Sequence, residues 1–158
     1  MASEGISTVS LSSLTGARRF LVNQLVYFDE QYSIFLDTYV PTHGKERLAL
    51  EKLVQRYLRA LESVLSKEDG ELAKELNRTV FLGSSVKVRY QEDQSEETFI
   101  VVFPTMTDPD RNRVSMLSPI GRQLLLKSTD DRFNLETPYT QEPVAIEEVK
   151  MAYLEGFD

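Results

Sequence analysis

The chain is 158 residues long, room for one ordinary domain or two small ones, and its 41% apolar content is enough for a packed core. It contains no cysteine, which excludes disulfides, thiolate metal sites and a cysteine nucleophile. The net charge of −7 is uneven: residues 1–78 carry 10 basic and 11 acidic side chains (net −1), and residues 79–158 carry 8 and 14 (net −6). Neither half has the basic excess of a direct, sequence-specific nucleic-acid binder, so a role in nucleic-acid metabolism should run through a protein partner.

The opening Met1-Ala2-Ser3-Glu4-Gly5 lacks the basic and then apolar pattern of a signal peptide. No apolar run approaches the ~20 residues of a membrane span. A cytoplasmic protein without a membrane partner is expected.

Helical periodicity dominates the first half. Leu14, Leu21, Leu25, Phe28, Tyr32, Phe35 and Tyr39 recur at the spacing of a helix packed lengthwise on another helix. Ser12 or Ser13 could cap its start, and Pro41 should end it near Val40. A second stripe, Leu50, Val54, Tyr57, Leu61 and Val64, predicts a helix from just after Gly44 to near Lys67. The connection Val40 to Gly44 is so short that the two helices must be antiparallel neighbours. Glu71 to Leu76 could add a last turn or a separate short helix.

From Thr79 the period changes to two. Val86, Val88 and Tyr90 alternate with Lys87 and Arg89, as in a half-buried strand. Gln91 to Glu97 reads as a hairpin turn, and Thr98 to Phe103 as a central strand ended by Pro104. Asp108-Pro109-Asp110 is turn chemistry, and Arg113 to Leu117 is a third strand. Ser118 then caps a short helix, Pro119 to Lys127, with proline at the first helical position, where its missing N–H costs nothing. Phe133 to Thr137 and Val144 to Val149 are the last strands, joined by Pro138 to Pro143. Helices followed by strands predict an α+β chain of two units, residues 1–78 and 79–158.

Several words of the second half resemble the C-terminal domain of Gre-type bacterial transcript elongation factors. They are Val80-Phe81-Leu82-Gly83-Ser84-Ser85-Val86-Lys87-Val88, Asp108-Pro109-Asp110-Arg111, Val114-Ser115-Met116-Leu117-Ser118-Pro119-Ile120-Gly121-Arg122, Glu136-Thr137-Pro138, and the closing Val149-Lys150-Met151-Ala152-Tyr153-Leu154. Thr15-Gly16-Ala17 is similar to the family's helix opening. Phe103-Pro104-Thr105-Met106-Thr107-Asp108 looks more like the short-hairpin nucleoside diphosphate kinase regulator group. The resemblance implies an N-terminal helical hairpin (a coiled coil) followed by a small FKBP-like antiparallel β domain with one short helix.

It also implies RNA polymerase as partner, with the β domain on the rim of the secondary channel and the hairpin inside it. Ser118, Pro119, Ile120 and Arg122 match the family's docking corner, although each also has an ordinary structural role. Family members that promote cleavage carry an Asp, and a Glu three residues on, just after a His-Gly-like turn. Those acids help hold a second Mg²⁺ of the polymerase. Here the tip reads His43-Gly44-Lys45-Glu46-Arg47-Leu48, so Lys45 and Leu48 stand where the acids would be.

An ammonium and an alkyl group cannot ligate Mg²⁺. The expectation is therefore a non-enzymatic elongation regulator with no cofactor or metal of its own. The alternative is an active cleavage factor using Asp37 and Glu46 at the polymerase's Mg²⁺, with the polymerase's own cleavage stimulated. Glu46 is equally at home as an acid in a helix's first turn. His43, the only histidine, has no nucleophile or base beside it in sequence and reads as a turn residue. A third reading, FKBP-like peptidyl-prolyl isomerase, is weakened by the absence of tryptophan, a usual pocket floor, and because fold does not carry function.

Overall fold

The computed structural model describes residues 11–155 and 157. The architecture is α+β, and it divides into two compact units. One runs up to Leu72 and includes Phe157; the other begins at Ala73. The change of period suggests 78/79 as the boundary, whereas the contacts divide inside a helix. No described helix is long and apolar enough to cross a membrane.

The first unit holds α1 (Leu11–Glu30), α2 (Tyr32–Tyr39) and α3 (Lys45–Leu65), and α4 (Asp69–Leu76) starts in it. The expected first helix is interrupted at Gln31, whose ψ of 19° departs from helical geometry. No proline or glycine marks that spot, so sequence patterning could not show it. The interruption lies among Tyr27, Phe28, Phe35 and Tyr39, which pack mostly edge to face with centroids 5.0–6.3 Å apart. Ser12 and Ser13 lie within α1 rather than before it, so the cap falls outside the described residues. Leu14, Leu21, Phe28 and Phe35, seven apart, are buried, as are Leu50, Val54, Tyr57, Leu61 and Val64 of α3. Leu25 and Tyr32 are only half-buried, and Gln24 takes the inward position instead. The Tyr57 hydroxyl donates to Gln24 Oε1 at 2.5 Å, which satisfies the buried amide oxygen. Phe157 sits 5.6–5.9 Å from the rings of Phe20, Tyr27 and Phe28.

Antiparallel packing is locked at both ends of the pair. Arg18 of α1 donates to the carbonyls of Leu65 and Lys67 just where α3 ends, and pairs with Asp69 at 3.0 Å. A cation there meets the negative end of the helix dipole. At the opposite end, Arg47 reaches back to the Val40 carbonyl and to Asp37.

The second unit is one five-stranded sheet in the order β3-β2-β1-β5-β4: β1 (Ser84–Tyr90), β2 (Glu96–Val102), β3 (Arg113–Ser115), β4 (Arg132–Glu136) and β5 (Gln141–Met151). The sheet is antiparallel as expected at three of its four seams, and β2 and β3 run parallel. Between them two 3-10 turns, Pro104–Met106 and Pro109–Arg111, carry the chain back to the side of β2. Asn112, left-handed at φ 54°, then docks its amide on the Thr98 carbonyl at 2.8 Å, so that Arg113 enters opposite Ile100. That long-range bond is invisible to period counting.

The strand expected from Val144 begins earlier, at Gln141, and includes Pro143. The Pro143 carbonyl accepts from Gln91 N–H at 2.9 Å just past the end of β1, so the missing proline N–H faces a strand that has already stopped. Helix α5 (Pro119–Leu124) ends before Lys127, because Leu125 leaves helical geometry and Leu126 turns left-handed at φ 69°. The core of this unit is Val86, Val88, Phe99, Val101, Met116, Leu124, Leu135, Val144, Ile146 and Val149.

Candidate functional site

The corner between β3 and α5 is built from the residues upward. Ser115 and Ser118 form a closed set of local bonds: Ser118 Oγ donates to the Ser115 carbonyl at 2.7 Å and accepts from Gly121 N–H at 3.0 Å. Ser115 Oγ accepts from Leu117 N–H at 3.0 Å. Ser118 is thus the expected N-cap, with Pro119 at the first helical position. Gly121 lets the helix lie on β3, since a Cβ there would stand 1.9 Å from the Ser115 carbonyl oxygen. Arg122 folds back, its Nε donating to the Leu117 carbonyl at 3.1 Å. Pro119 is exposed, and Ser118, Ile120 and Arg122 are half-buried.

Pro119 and Ile120 also form one wall of an open cleft of about 420 Å³. Phe99, Pro109, Val114 and Pro138 line the rest of its apolar surface. The Pro138 side is held by Gln123 of α5. Its amide donates to the Glu136 carbonyl at 2.6 Å and accepts from Glu136 N–H at 2.8 Å, fixing the end of β4 and the turn that follows. Glu97 and Arg113 are the charged members of the lining. Glu97 accepts from the Tyr90 hydroxyl at 2.7 Å and from Asn112 Nδ2 at 3.3 Å. Burial, that hydrogen bond, and the charges of Glu97 and Glu142 together push the Tyr90 hydroxyl well above its usual titration range. The Arg113 guanidinium lies 4.0 Å above the Tyr153 ring, and its buried Nε has no hydrogen-bond partner.

The hairpin tip belongs to the other unit. His43, Gly44, Lys45, Glu46 and Leu48 are all exposed. Asp37 and Glu46, the two acids nearest the turn, differ in their surroundings. Asp37 is in an ion pair with Arg47 at 2.9 Å, and Arg47, its side chain only 10% exposed, also reaches Glu51 at 3.7 Å. Glu46 stands exposed in the first turn of α3, in no ion pair among the described residues. Among the described residues no group of three or more His, Cys, Asp or Glu stands together in a way that could hold a metal.

The near-neutral sum of the first half conceals one feature. Lys45, Lys52, Arg56 and Arg59 are exposed on α3, and their spacing of 7, 4 and 3 keeps them on one face over about 21 Å. Among the described residues none of the four is in an ion pair. Acidic residues elsewhere in the first half offset these charges in the sum, so the stripe is visible in the sequence only along the outward positions of the second helix.

The description "Transcription elongation factor, GreA/GreB, C-term" fits residues 75–151, most of the β unit. Transcription elongation factor GreA of Chloroflexus aggregans is 42% identical over 59 residues, 37% of this chain and 38% of that protein. GreA of Chloroflexus aurantiacus is 34% identical over 91 residues, 56% of this chain and 57% of the relative. The chain thus spans between 38% and 57% of the length of these two relatives. A solved GreA/GreB elongation factor from Nitrosomonas europaea shares the fold, with a TM-score of 0.51 and 24% identity over 77% of this chain and 90% of its own. The sheet-and-corner unit is what these proteins have in common with this one, and that unit matches the C-terminal domain of the Gre-type transcription elongation factors.

Proposed function

We propose that the chain binds RNA polymerase at the rim of its secondary channel and regulates elongation from there, without supplying the acids that promote RNA cleavage. The observation that carries the reading is the Ser118–Arg122 corner, which matches the family's docking words and presents Pro119 to solvent on a cap rigidified by four local bonds. The hairpin enters the channel tip first, and its turn offers Lys45 and Leu48 where a cleavage factor offers carboxylates. Asp37 is a poor substitute, because a metal would have to compete with Arg47 for it.

Two measurements test this. Binding to core polymerase should weaken at least about tenfold in Pro119→Ala or Arg122→Glu, as expected when a central contact is lost; full binding by both variants rejects the docking corner. Added to a backtracked elongation complex, the wild-type protein should leave the RNA length unchanged. The exposed Glu46 keeps one alternative open to experiment: RNA shortening that disappears in Glu46→Ala identifies an active cleavage factor.

A further inference from the structure

Helix α1 carries a second periodic stripe, on the side that its core does not use. Thr15, Arg19, Val22, Val26 and Asp29 are all exposed, and their spacing of 4, 3, 4 and 3 is that of a coiled-coil seam. At about 100° per residue the stripe lies opposite Gln24, which accepts from Tyr57 of α3, so it faces away from the helix that α1 already packs against. Val22 and Val26 stand at its centre, 40% and 46% exposed. Arg19 and Asp29 flank them, and among the described residues neither is in an ion pair.

The order of these residues is self-complementary. Two copies of α1 laid antiparallel and centred at the level of Gln24 set Val22 of each on Val26 of the other. The same register sets Arg19 of each on Asp29 of the other, so two apolar layers are closed at both ends by opposite charges. One two-fold axis relates all four layers, as an isologous contact demands. Sliding the copies by one heptad sets Arg19 on Val22 or Asp29 on Val26. A parallel pairing sets Arg19 on Arg19 and Asp29 on Asp29, which repel.

We propose that the outward face of α1 binds a second copy of this chain as an antiparallel, two-fold symmetric helix pair. The inference is independent of the docking reading above. From Thr15 to Asp29 the seam runs only about 21 Å, so the dimer belongs to the small, weak class of interfaces and dissociates on dilution.

Sedimentation equilibrium of the full chain from about 10 µM to about 1 mM should show a reversible monomer–dimer equilibrium, with a dissociation constant on the order of 100 µM. Arg19→Glu opposes like charges in both outer layers and should weaken association at least about tenfold. Adding Asp29→Arg to it restores opposite charges in this register and should recover wild-type association to within about threefold. Both positions are exposed, so the fold should tolerate either change. A wild-type chain that stays monomeric at the highest concentration overturns the proposal and leaves the stripe to another partner, such as the polymerase. A dimer that Arg19→Glu leaves intact, or that the double exchange does not restore, overturns the assigned face and register. Assembly beyond the dimer overturns the two-fold contact.

Discussion

Gly121 is the residue with the least freedom to change. One of its Cα hydrogens faces the Ser115 carbonyl oxygen of the preceding strand, and an added methyl would sit at 1.9 Å from it. Backbone cannot yield as a flexible side chain can, so Gly121→Ala should cost at least about 3 kcal/mol and lower the melting temperature by roughly 6–12 °C. A melt within a degree or two of wild type would show that α5 can lift off β3 without loss. Tyr90 makes a different prediction. Its proton is held more tightly in the folded chain than its ordinary value of 10.0 implies, first through burial and then through Glu97. A group whose folded value is raised adds stability that is complete below its unfolded value and fades as pH climbs beyond it. Wild type should therefore exceed Tyr90→Phe by about 1 kcal/mol at pH 8, the worth of the Glu97 bond, and that margin should shrink above pH 10. Urea midpoints of the two proteins at pH 8 and pH 11 check the sign.

At the scale of elements, Arg47 governs the hairpin tip. Nearly buried, it satisfies the Val40 carbonyl at the end of α2 and pairs with Asp37 and Glu51. Arg47→Met keeps the aliphatic stem but strands those partners, and should destabilise the hairpin by about 2–3 kcal/mol. Asp37→Asn should cost under about 1 kcal/mol, because Asp37 is 66% exposed and its pairing is screened. Thermal melts of both variants, ranked against wild type, test that order. The helices themselves were legible, since a seven-residue recurrence of large apolar side chains has one economical explanation. Gln24 was not: a polar residue reads as outward unless its partner is known, and Tyr57 lies on another helix. The break at Gln31 was hidden for a related reason, since it lies among ring contacts and no breaker residue marks it.

For the whole molecule, the period change from helix to strand is enough to give the α+β class, and the cap-and-proline pair marks the start of α5. Sheet order was beyond reach. The parallel entry of β3 depends on Asn112 meeting Thr98, a contact between residues 14 apart that no local pattern encodes. The cleft was equally hidden, because its walls come from β2, β3, α5 and two turns, and are assembled only by folding. Of the expected site residues, the structure brings Ser118, Pro119 and Ile120 to that cleft, while His43, Gly44, Lys45 and Glu46 stay together at the tip of the other unit.

The Gln123 amide on Glu136 has one more effect. A side-chain amide offers the same donor and acceptor as a peptide group, so Gln123 behaves as a single rung of strand laid against the free margin of β4. Glu136 spends there the very groups with which an open sheet border recruits a neighbouring chain. The helix that shapes the corner thereby also takes one rung of the sheet's open border out of reach of a neighbouring chain.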